Sequence, residues 1–230
     1  MLTLFHSPLS ASSRFIRLIL GEYGVTTQLI EEYEWARRHE FLALNPAGHV
    51  PVFLDEHEVP LSGPLVICEY LDETHGSLRQ DNKLFPENPL DRAEVRRLND
   101  WFLNKFENEA TRHIVRERIH KREMPLAIGG GAPNSQILRN ARANILPHMN
   151  YLNWLCASRD SLVGSALSYA DLAAAASISV LDFLGEIDWE QSPAAKDWYM
   201  RIKSRPSFRS LLTDRVRGIV ASAHYADLDF

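Results

Sequence analysis

The pattern of apolar residues changes near residues 80–90, and this change constrains the fold more than any other feature of the sequence. Before it, short β-branched stretches alternate with helical repeats; after it, the repeat is helical throughout. The stretch between them, GSLRQDNKLFPENPLD, is polar and contains prolines, which is typical of a linker. We therefore predict an α/β domain over residues 1–80 and an all-α domain over residues 88–230.

The first part of the chain predicts the element order β-α-β-α-β-β-α. A helical repeat over residues 12–23 follows the first strand, and Gly24 stands where a helix commonly ends. Pro64 suits the first turn of the last helix in this part. The strands are predicted at residues 2–5, 26–30, 52–55 and 58–61, the last two as a hairpin.

The second part predicts one long amphipathic helix and then several shorter ones. The long repeat starts after Pro89, and the stretch GGGAPNS interrupts the helical pattern. Helical repeats return at residues 136–157, 168–184 and 193–203. Ser168 and Asp171 have the spacing of a capping box, and the apolar residues behind them indicate a buried helix.

Composition and charge exclude several classes of function. The net charge of −5 offers no basic footprint for nucleic acid, so no nucleic-acid partner is expected. No apolar run is long enough to suggest a membrane span, and the start MLTLFHSPLS lacks a basic region before an apolar stretch. Two cysteines make no disulfide framework, and the histidines show no metal-ligand spacing. We predict a cytoplasmic location, no membrane association and no metal.

Several polar or aromatic side chains are expected to be structural. Cys68 is expected to act as a small buried hydrophobe, and His113 and His120 as solvated positions on the long helix. Trp101 and Phe106 belong to a stripe at helical spacing that is typical of a core. The alternative interpretation is that part of this stripe lines a pocket between the domains.

Three serines, Ser10, Ser12 and Ser13, lie where the first strand passes into the first helix. Ser12 or Ser13 is expected to be the N-cap, the residue whose side chain accepts from the first free amides of the helix. Ser10 is then expected just before the cap, where the partial positive charge of the helix N-terminus is felt. A hydroxyl there can donate to a thiolate and so favour the ionised form of a thiol.

The dipeptide Val50-Pro51 joins a turn to the predicted hairpin. One interpretation is a proline that starts a strand and nothing more. The other is a cis peptide bond that turns the backbone groups of Val50 outward, so that a peptide-like ligand pairs with them as an added strand.

Together these motifs resemble the cytosolic glutathione S-transferases over nearly the whole chain. LTLFHSPLSASSRFIRLIL, FLALNPAGHVPVFLDE and VICEYLDETHG resemble the thioredoxin-like domain of that family. ENPLDRAEVRRLNDWF, LSYADLAAA and WYMRIKSRPSFRSLL resemble its helical domain. The resemblance implies an α/β thioredoxin-like N-terminal domain, an all-α helical C-terminal domain and a serine-type, bacterial-like member.

The resemblance also implies roles for individual residues. Ser10, with Ser12 and Ser13 as alternates, would stabilise the thiolate of glutathione, which then attacks a small hydrophobic electrophile. The implied glutathione-binding residues are Val50, Pro51 as a cis proline, Ser62, Gly63, His49 and Arg38, with Arg37 and His39 as alternatives for the glycine carboxylate. The implied electrophile pocket contains Trp101, Asn104 and Lys105. Members of the family usually form homodimers, and the implied role is detoxification.

One position departs from the family pattern. The pair of an acid and a serine that binds the γ-glutamyl group is replaced by Gly63-Pro64. The carboxylate is missing, and proline has no amide N–H to donate. Losing a charge-assisted contact of this kind weakens glutathione binding by roughly 1.5–3 kcal/mol. Two hypotheses therefore follow: a glutathione S-transferase, or a non-catalytic binding protein that keeps the fold and has lost glutathione affinity.

Overall fold

A computed structural model describes residues 1–76 and 83–230. The predicted end of the first domain, at residue 80, lies outside these residues. A small mixed sheet with three helices comes first and an all-helical part follows, as the resemblance implied. Within the described ranges, no helix is both long enough and apolar enough to cross a membrane.

Four strands form one sheet in the order β2-β1-β3-β4. They are β1 (Thr3–His6), β2 (Gln28–Glu31), β3 (Val52–Leu54) and β4 (Pro60–Ser62). Strand β1 pairs parallel with β2 and antiparallel with β3, and β3 pairs antiparallel with β4. All four predicted strands are present, with ends shifted by one or two residues.

The helices of the first part are α1 (Ala11–Tyr23), α2 (His39–Leu44) and α3 (Pro64–Thr74). Helix α1 ends at Gly24, whose φ of 68° is left-handed and is reached without strain only by glycine. Pro64 opens α3, as predicted from its fixed φ and missing N–H. The order β-α-β-α-β-β-α is confirmed.

A single continuous helix, here called the long helix, begins at Pro89 and ends at Glu123. Its α-helical stretches are α4 (Pro89–Asp100), α5 (Arg112–Val115) and α6 (Lys121–Glu123). Wider π-helical turns lie between them at Trp101–Lys105, Glu107–Thr111 and Arg116–His120. Each wide turn changes which residues face the core, because it holds more residues per turn than an α-helix.

The remaining helices are α7 (Ser135–Cys156), α8 (Tyr169–Phe183), α9 (Pro193–Lys203) and α10 (Arg209–Leu212). Every residue of α8 is buried, which places it at the centre of the helical part. Its first turn has the predicted capping box between Ser168 and Asp171.

One hydrophobic cluster runs through both parts of the molecule, because α1 packs directly on α8. Between these helices lies Arg14, which is fully buried. Its guanidinium donates to Pro8 O (2.6 Å), Ser179 Oγ (2.9 Å) and Tyr225 Oη (3.0 Å). The loop that precedes α1 is therefore tied to the helical part by a hydrogen-bonded charge.

A second, smaller cluster lies on the other face of the sheet, under α2. It consists of Phe5, Phe41, Val50 and Val52, with the two phenyl rings 5.7 Å apart. This cluster fixes Val50 at the edge of the sheet beside the loop that leads to α1.

Candidate functional site

Two cavities lie between the sheet and the long helix. The inner cavity has a volume of about 190 Å³, and the outer groove has a volume of about 680 Å³. Five residues line both and form what we call the neck: Ser10, Glu34, Val50, Glu107 and Arg112. A ligand that extends from one cavity into the other must pass these five side chains.

Ser10 is the N-cap of α1, and its Oγ accepts a hydrogen bond from the Ser13 amide (3.2 Å). The expectation that Ser12 or Ser13 caps the helix, with Ser10 ahead of it, is therefore wrong. The reason is that Ser13 Oγ accepts from the Ser7 amide (3.2 Å), so the helix begins at Ala11. Ser10 still lies at the positive end of the helix dipole.

The backbone of Val50 already has an acceptor inside the protein. Its amide N–H donates to Glu34 Oε1 at 2.8 Å, and Glu34 Oε2 lies 3.4 Å from His49 Nδ1. Glu34 begins a short 3₁₀ turn (Glu34–Ala36) between β2 and α2, which carries its carboxylate to the edge of the sheet. The Val50-Pro51 peptide bond is cis.

Glu107 brings a second carboxyl group to the neck. Its Oε2 is buried and has no hydrogen-bond partner among residues 1–76 and 83–230. Burial raises the pKa of the Glu107 carboxyl to about 7, the charge of Arg112 opposes this rise, and the charge of Glu34 adds to it. The neck therefore disfavours a negative charge.

The inner cavity combines apolar walls with an excess of acids. The rings of Tyr33 and Trp35 lie 5.5 Å apart beside it, and Trp35 Nε1 is buried without a partner in the described part of the chain. Its acidic lining residues are Glu31, Glu32, Glu34, Glu107 and Glu123, and its arginines are Arg112, Arg116 and Arg217. Glu32 is paired with Arg38 at 2.5 Å.

The far end of the outer groove is the start of α3. Gly63 is the helix N-cap at φ 91°, and neither it nor Pro64 offers a carboxylate. Ser62 also lines the groove there. Across the described ranges, no group of three or more His, Cys, Asp or Glu side chains is arranged to hold a metal ion.

Residues 4–82 match the sequence model of the glutathione S-transferase N-terminal domain, and residues 131–206 match that of the C-terminal domain. The chain belongs to the glutathione S-transferase family. A structure of a glutathione S-transferase from Sinorhizobium meliloti 1021 is 58% identical, with a TM-score of 0.98 over 100% of both chains.

A further protein and a further structure that are similar to this chain are not named as transferases. FtsZ-localized protein A of Caulobacter vibrioides is 39% identical over 99% of this chain and 98% of its own length. The structure of FzlA from C. crescentus is 40% identical, with a TM-score of 0.90 over 100% of this chain and 99% of that one.

The structure brings most of the sequence-derived candidates for glutathione S-transferase chemistry to the outer groove. Those that line it are Ser10, Ser12, His49, Val50, Ser62, Gly63 and Asn104. Arg38 lines neither described cavity, because its guanidinium is paired with the buried Glu32. Ser13 is fully buried beneath the loop before α1.

Two candidates for the electrophile pocket lie elsewhere. Trp101 packs on Tyr151, with ring centroids 4.5 Å apart, and lines neither described cavity. Lys105 pairs with Glu109 and stands over the Trp101 ring. Trp101, in the wide turn Trp101–Lys105, contacts Tyr151 and His148 of α7, which the helical repeat in the sequence did not indicate.

Sequence reasoning missed the side chains that dominate the neck. Glu34 lies in the charged run EEYEWARRHE, which predicts a short helix or loop, and Glu107 is one charge among many on the long helix. His120 was expected to be solvated, but it is half-buried and lines the inner cavity, where burial lowers its pKa. Cys68 is buried, as expected, and burial raises its pKa to about 12.

Proposed function

We propose that this chain is a non-catalytic member of the glutathione S-transferase family that binds a partner protein through the neck and its two cavities. The hydrogen bond from the Val50 amide to Glu34 is the observation that carries this proposal. A peptide-like ligand that adds a strand at Val50 needs that N–H for its own carbonyl. The ligand must first displace a charge-assisted hydrogen bond, which is worth roughly 1.5–3 kcal/mol.

The electrostatics of the neck also oppose conjugation chemistry. A thiolate beside Ser10 would share the neck with the carboxyl groups of Glu34 and Glu107. Like charges raise the pKa of a thiol and so reduce the fraction in the nucleophilic form. Burial raises the pKa of Glu107 to about 7, with Arg112 opposing the rise and the charge of Glu34 adding to it, so an anion in the neck is penalised by loss of water as well as by like charge.

The start of α3 adds a third argument. Gly63-Pro64 leaves no carboxylate for the ammonium group of glutathione and no amide donor at the first helical residue. Glutathione would therefore find the Val50 amide already hydrogen-bonded and two carboxyl groups in the neck. It would also find no carboxylate to pair with its ammonium group.

The similarity to FtsZ-localized protein A suggests the class of partner. That protein is 39% identical over 99% of this chain, and its name associates it with FtsZ. We infer that this chain likewise binds at FtsZ assemblies, which also fits the predicted cytoplasmic location.

A second candidate function is the predicted glutathione S-transferase activity toward a small hydrophobic electrophile. Ser10 favours it, because its hydroxyl lies at the start of α1 in the neck and keeps a proton to donate while it accepts from Ser13. The implied homodimer and the role in detoxification belong to this candidate.

Three assays on the purified chain separate the two functions: a thermal shift with glutathione, conjugation of 1-chloro-2,4-dinitrobenzene, and co-sedimentation with polymerised FtsZ. A ligand at ten times its Kd stabilises the folded state by about 1.4 kcal/mol, which a thermal shift detects. We expect no shift at about 10 mM glutathione, no conjugation, and sedimentation with FtsZ. Conjugation that Ser10→Ala abolishes would instead establish the second candidate.

A gain-of-binding variant tests the reason given for the loss of glutathione affinity. Glu34→Ala frees the Val50 amide, and Pro64→Ser adds an amide and a hydroxyl at the start of α3. We expect the double variant, unlike the parent, to be stabilised by glutathione. Glu40→Ala is the matched control, because Glu40 is an exposed acid in the same segment that lines neither described cavity.

A further inference from the structure

The neck contains two carboxyl groups, those of Glu34 and Glu107. The loss of glutathione binding does not explain why they are there. Resting on the proposed function, we propose that the neck receives a positively charged side chain of the partner protein, an arginine or lysine whose cationic head lies between Glu34 and Glu107. The partner is thereby assigned an exposed basic residue. The neck is the binding site for its head group.

Glu107 is the main support for a cationic occupant. Its Oε2 is buried, lines both cavities and has no hydrogen-bond donor within the described residues. A buried acceptor without a donor is costly, and a guanidinium or ammonium group supplies the missing donor together with the opposite charge. Glu34 faces the same space with a carboxylate that has a single amide donor, leaving further lone pairs for the ligand.

The walls of the inner cavity suit the rest of such a side chain. Leu9, Val115 and Ile119 provide apolar contacts for the methylene stem of arginine or lysine. Trp35 and Tyr33 place aromatic rings beside the cavity, where a cation is attracted to the face of the ring.

The basic groups near the neck do not already neutralise Glu107. The charge of Arg112 acts on Glu107 across the neck, but its Nη1 donates to Asn108 Oδ1 at 2.6 Å, and Glu107 Oε2 has no hydrogen-bond partner in the described structure. Arg116 and His120 lie one and two turns farther along the long helix. Burial lowers the pKa of His120, which keeps this ring neutral at pH 7.

Binding of a cation must depend on pH if Glu107 holds it. The pKa of Glu107 is about 7 in the empty neck, so the carboxylate fraction rises steeply between mildly acidic and mildly basic solution. We expect affinity to increase about tenfold from about pH 6 to about pH 8, in proportion to the ionised fraction. The charged groups that line the inner cavity with Glu107 are Glu31, Glu32, Glu34, Glu123, Arg112, Arg116 and Arg217. Burial lowers the pKa of His120, which lines the same cavity.

The probes are Nα-acetyl-arginine methylamide, its lysine counterpart, and the lysine counterpart acetylated on Nζ. Binding is followed by calorimetry on the parent chain. We expect the two cationic probes to bind and the acetylated one, which has the same stem without the charge, to bind at least tenfold more weakly. n-Propylguanidine, which has the same stem and a single positive charge but lacks the peptide groups, tests whether a free guanidine competes equally.

Glu107→Gln should weaken the arginine probe at least tenfold and remove the pH dependence. Glu123→Gln is the matched control, because Glu123 lines the inner cavity outside the neck. Equal binding by Glu107→Gln and the parent, equal binding of charged and acetylated lysine, or stronger binding of n-propylguanidine than of the arginine probe would overturn the proposal. Glutathione conjugation would overturn the proposed function instead, whereas a chain that binds FtsZ but no cationic probe would overturn only this inference.

Discussion

Two buried acids in this molecule have opposite surroundings. Asp171, in the first turn of α8, accepts four hydrogen bonds: from the amides of Leu162 and Ser168, from the Ser168 hydroxyl and from Trp198 Nε1. Glu107, in the neck, has one oxygen that is buried and without a donor in the described part of the structure. Asp171 is fully buried and Glu107 has one buried oxygen, but only Asp171 has protein donors in place of water.

The difference separates an acid that builds the fold from an acid that is available to a ligand. Burial raises the pKa of both carboxyl groups, and at Asp171 the four donors act against that rise. Removing Asp171 leaves several buried donors unsatisfied, whereas removing Glu107 relieves an unsatisfied acceptor. The two substitutions should therefore change the free energy of unfolding in opposite directions.

The largest effect is expected from Asp171→Asn. Each carboxylate oxygen accepts two bonds, so an amide of the same shape must direct its own N–H groups against existing donors. We expect a loss of about 3–5 kcal/mol in the free energy of unfolding, measured by urea denaturation. Asp197→Asn, an exposed acid on α9, is the control and should change stability by less than about 0.5 kcal/mol. A loss below about 1 kcal/mol for Asp171→Asn would contradict the contrast drawn between Asp171 and Glu107.

Glu107→Gln should stabilise the protein, and the gain should depend on pH. The folded-state pKa of about 7 lies above the ordinary value of 4.5, so between these values the unfolded chain releases a proton that the folded chain keeps. The parent therefore loses stability as pH rises through this window, by an amount on the order of 3 kcal/mol that is complete above about pH 7. We expect the variant to be more stable by this order at about pH 8 and by roughly 1 kcal/mol at about pH 5.5.

Denaturation of parent and variant in parallel cancels the contributions of all other titrating groups. A gain that does not change between the two pH values would contradict the description of Glu107 as an unpaired buried acid.

The smallest effect is expected from Ser10→Ala. Ser10 Oγ accepts from the Ser13 amide as the N-cap of α1, so the substitution should cost about 1 kcal/mol of stability. Ser12→Ala, inside the first turn, is the control, because its side chain is not the cap. Equal losses at the two positions, measured by thermal denaturation, would mean that the cap is not at Ser10.

The sequence predicted the structural features that depend on residues close together along the chain. The capping box of Ser168 and Asp171 and the proline that opens α3 are local signals, and both are present. The choice among three serines was not predictable, because each is a good N-cap. The outcome depends on the loop turning back, so that the Ser7 amide reaches Ser13 Oγ.

The neck could not be predicted because its members come from distant parts of the chain. Glu34 reaches the Val50 amide across sixteen positions, and Glu107 joins them from the other part of the molecule. The burial that sets the pKa of Glu107 is a property of the packed molecule, and no pattern around residue 107 contains it. The sequence did expose the missing acid at Gly63-Pro64, because that comparison needs only a local motif.

The wide turns of the long helix have a consequence for relatives of this chain. Glu107, Arg112 and Arg116 lie along one cavity wall across the turns Glu107–Thr111 and Arg116–His120. Each wide turn accommodates more residues than an α-helical turn, so deleting one residue there would restore ordinary winding, keep the later side chains in phase and change which side chains of the turn face the cavity. A homologue that is one residue shorter here would keep the fold yet present a different chemical surface, so helix length is the feature to compare before ligand preference is transferred between relatives.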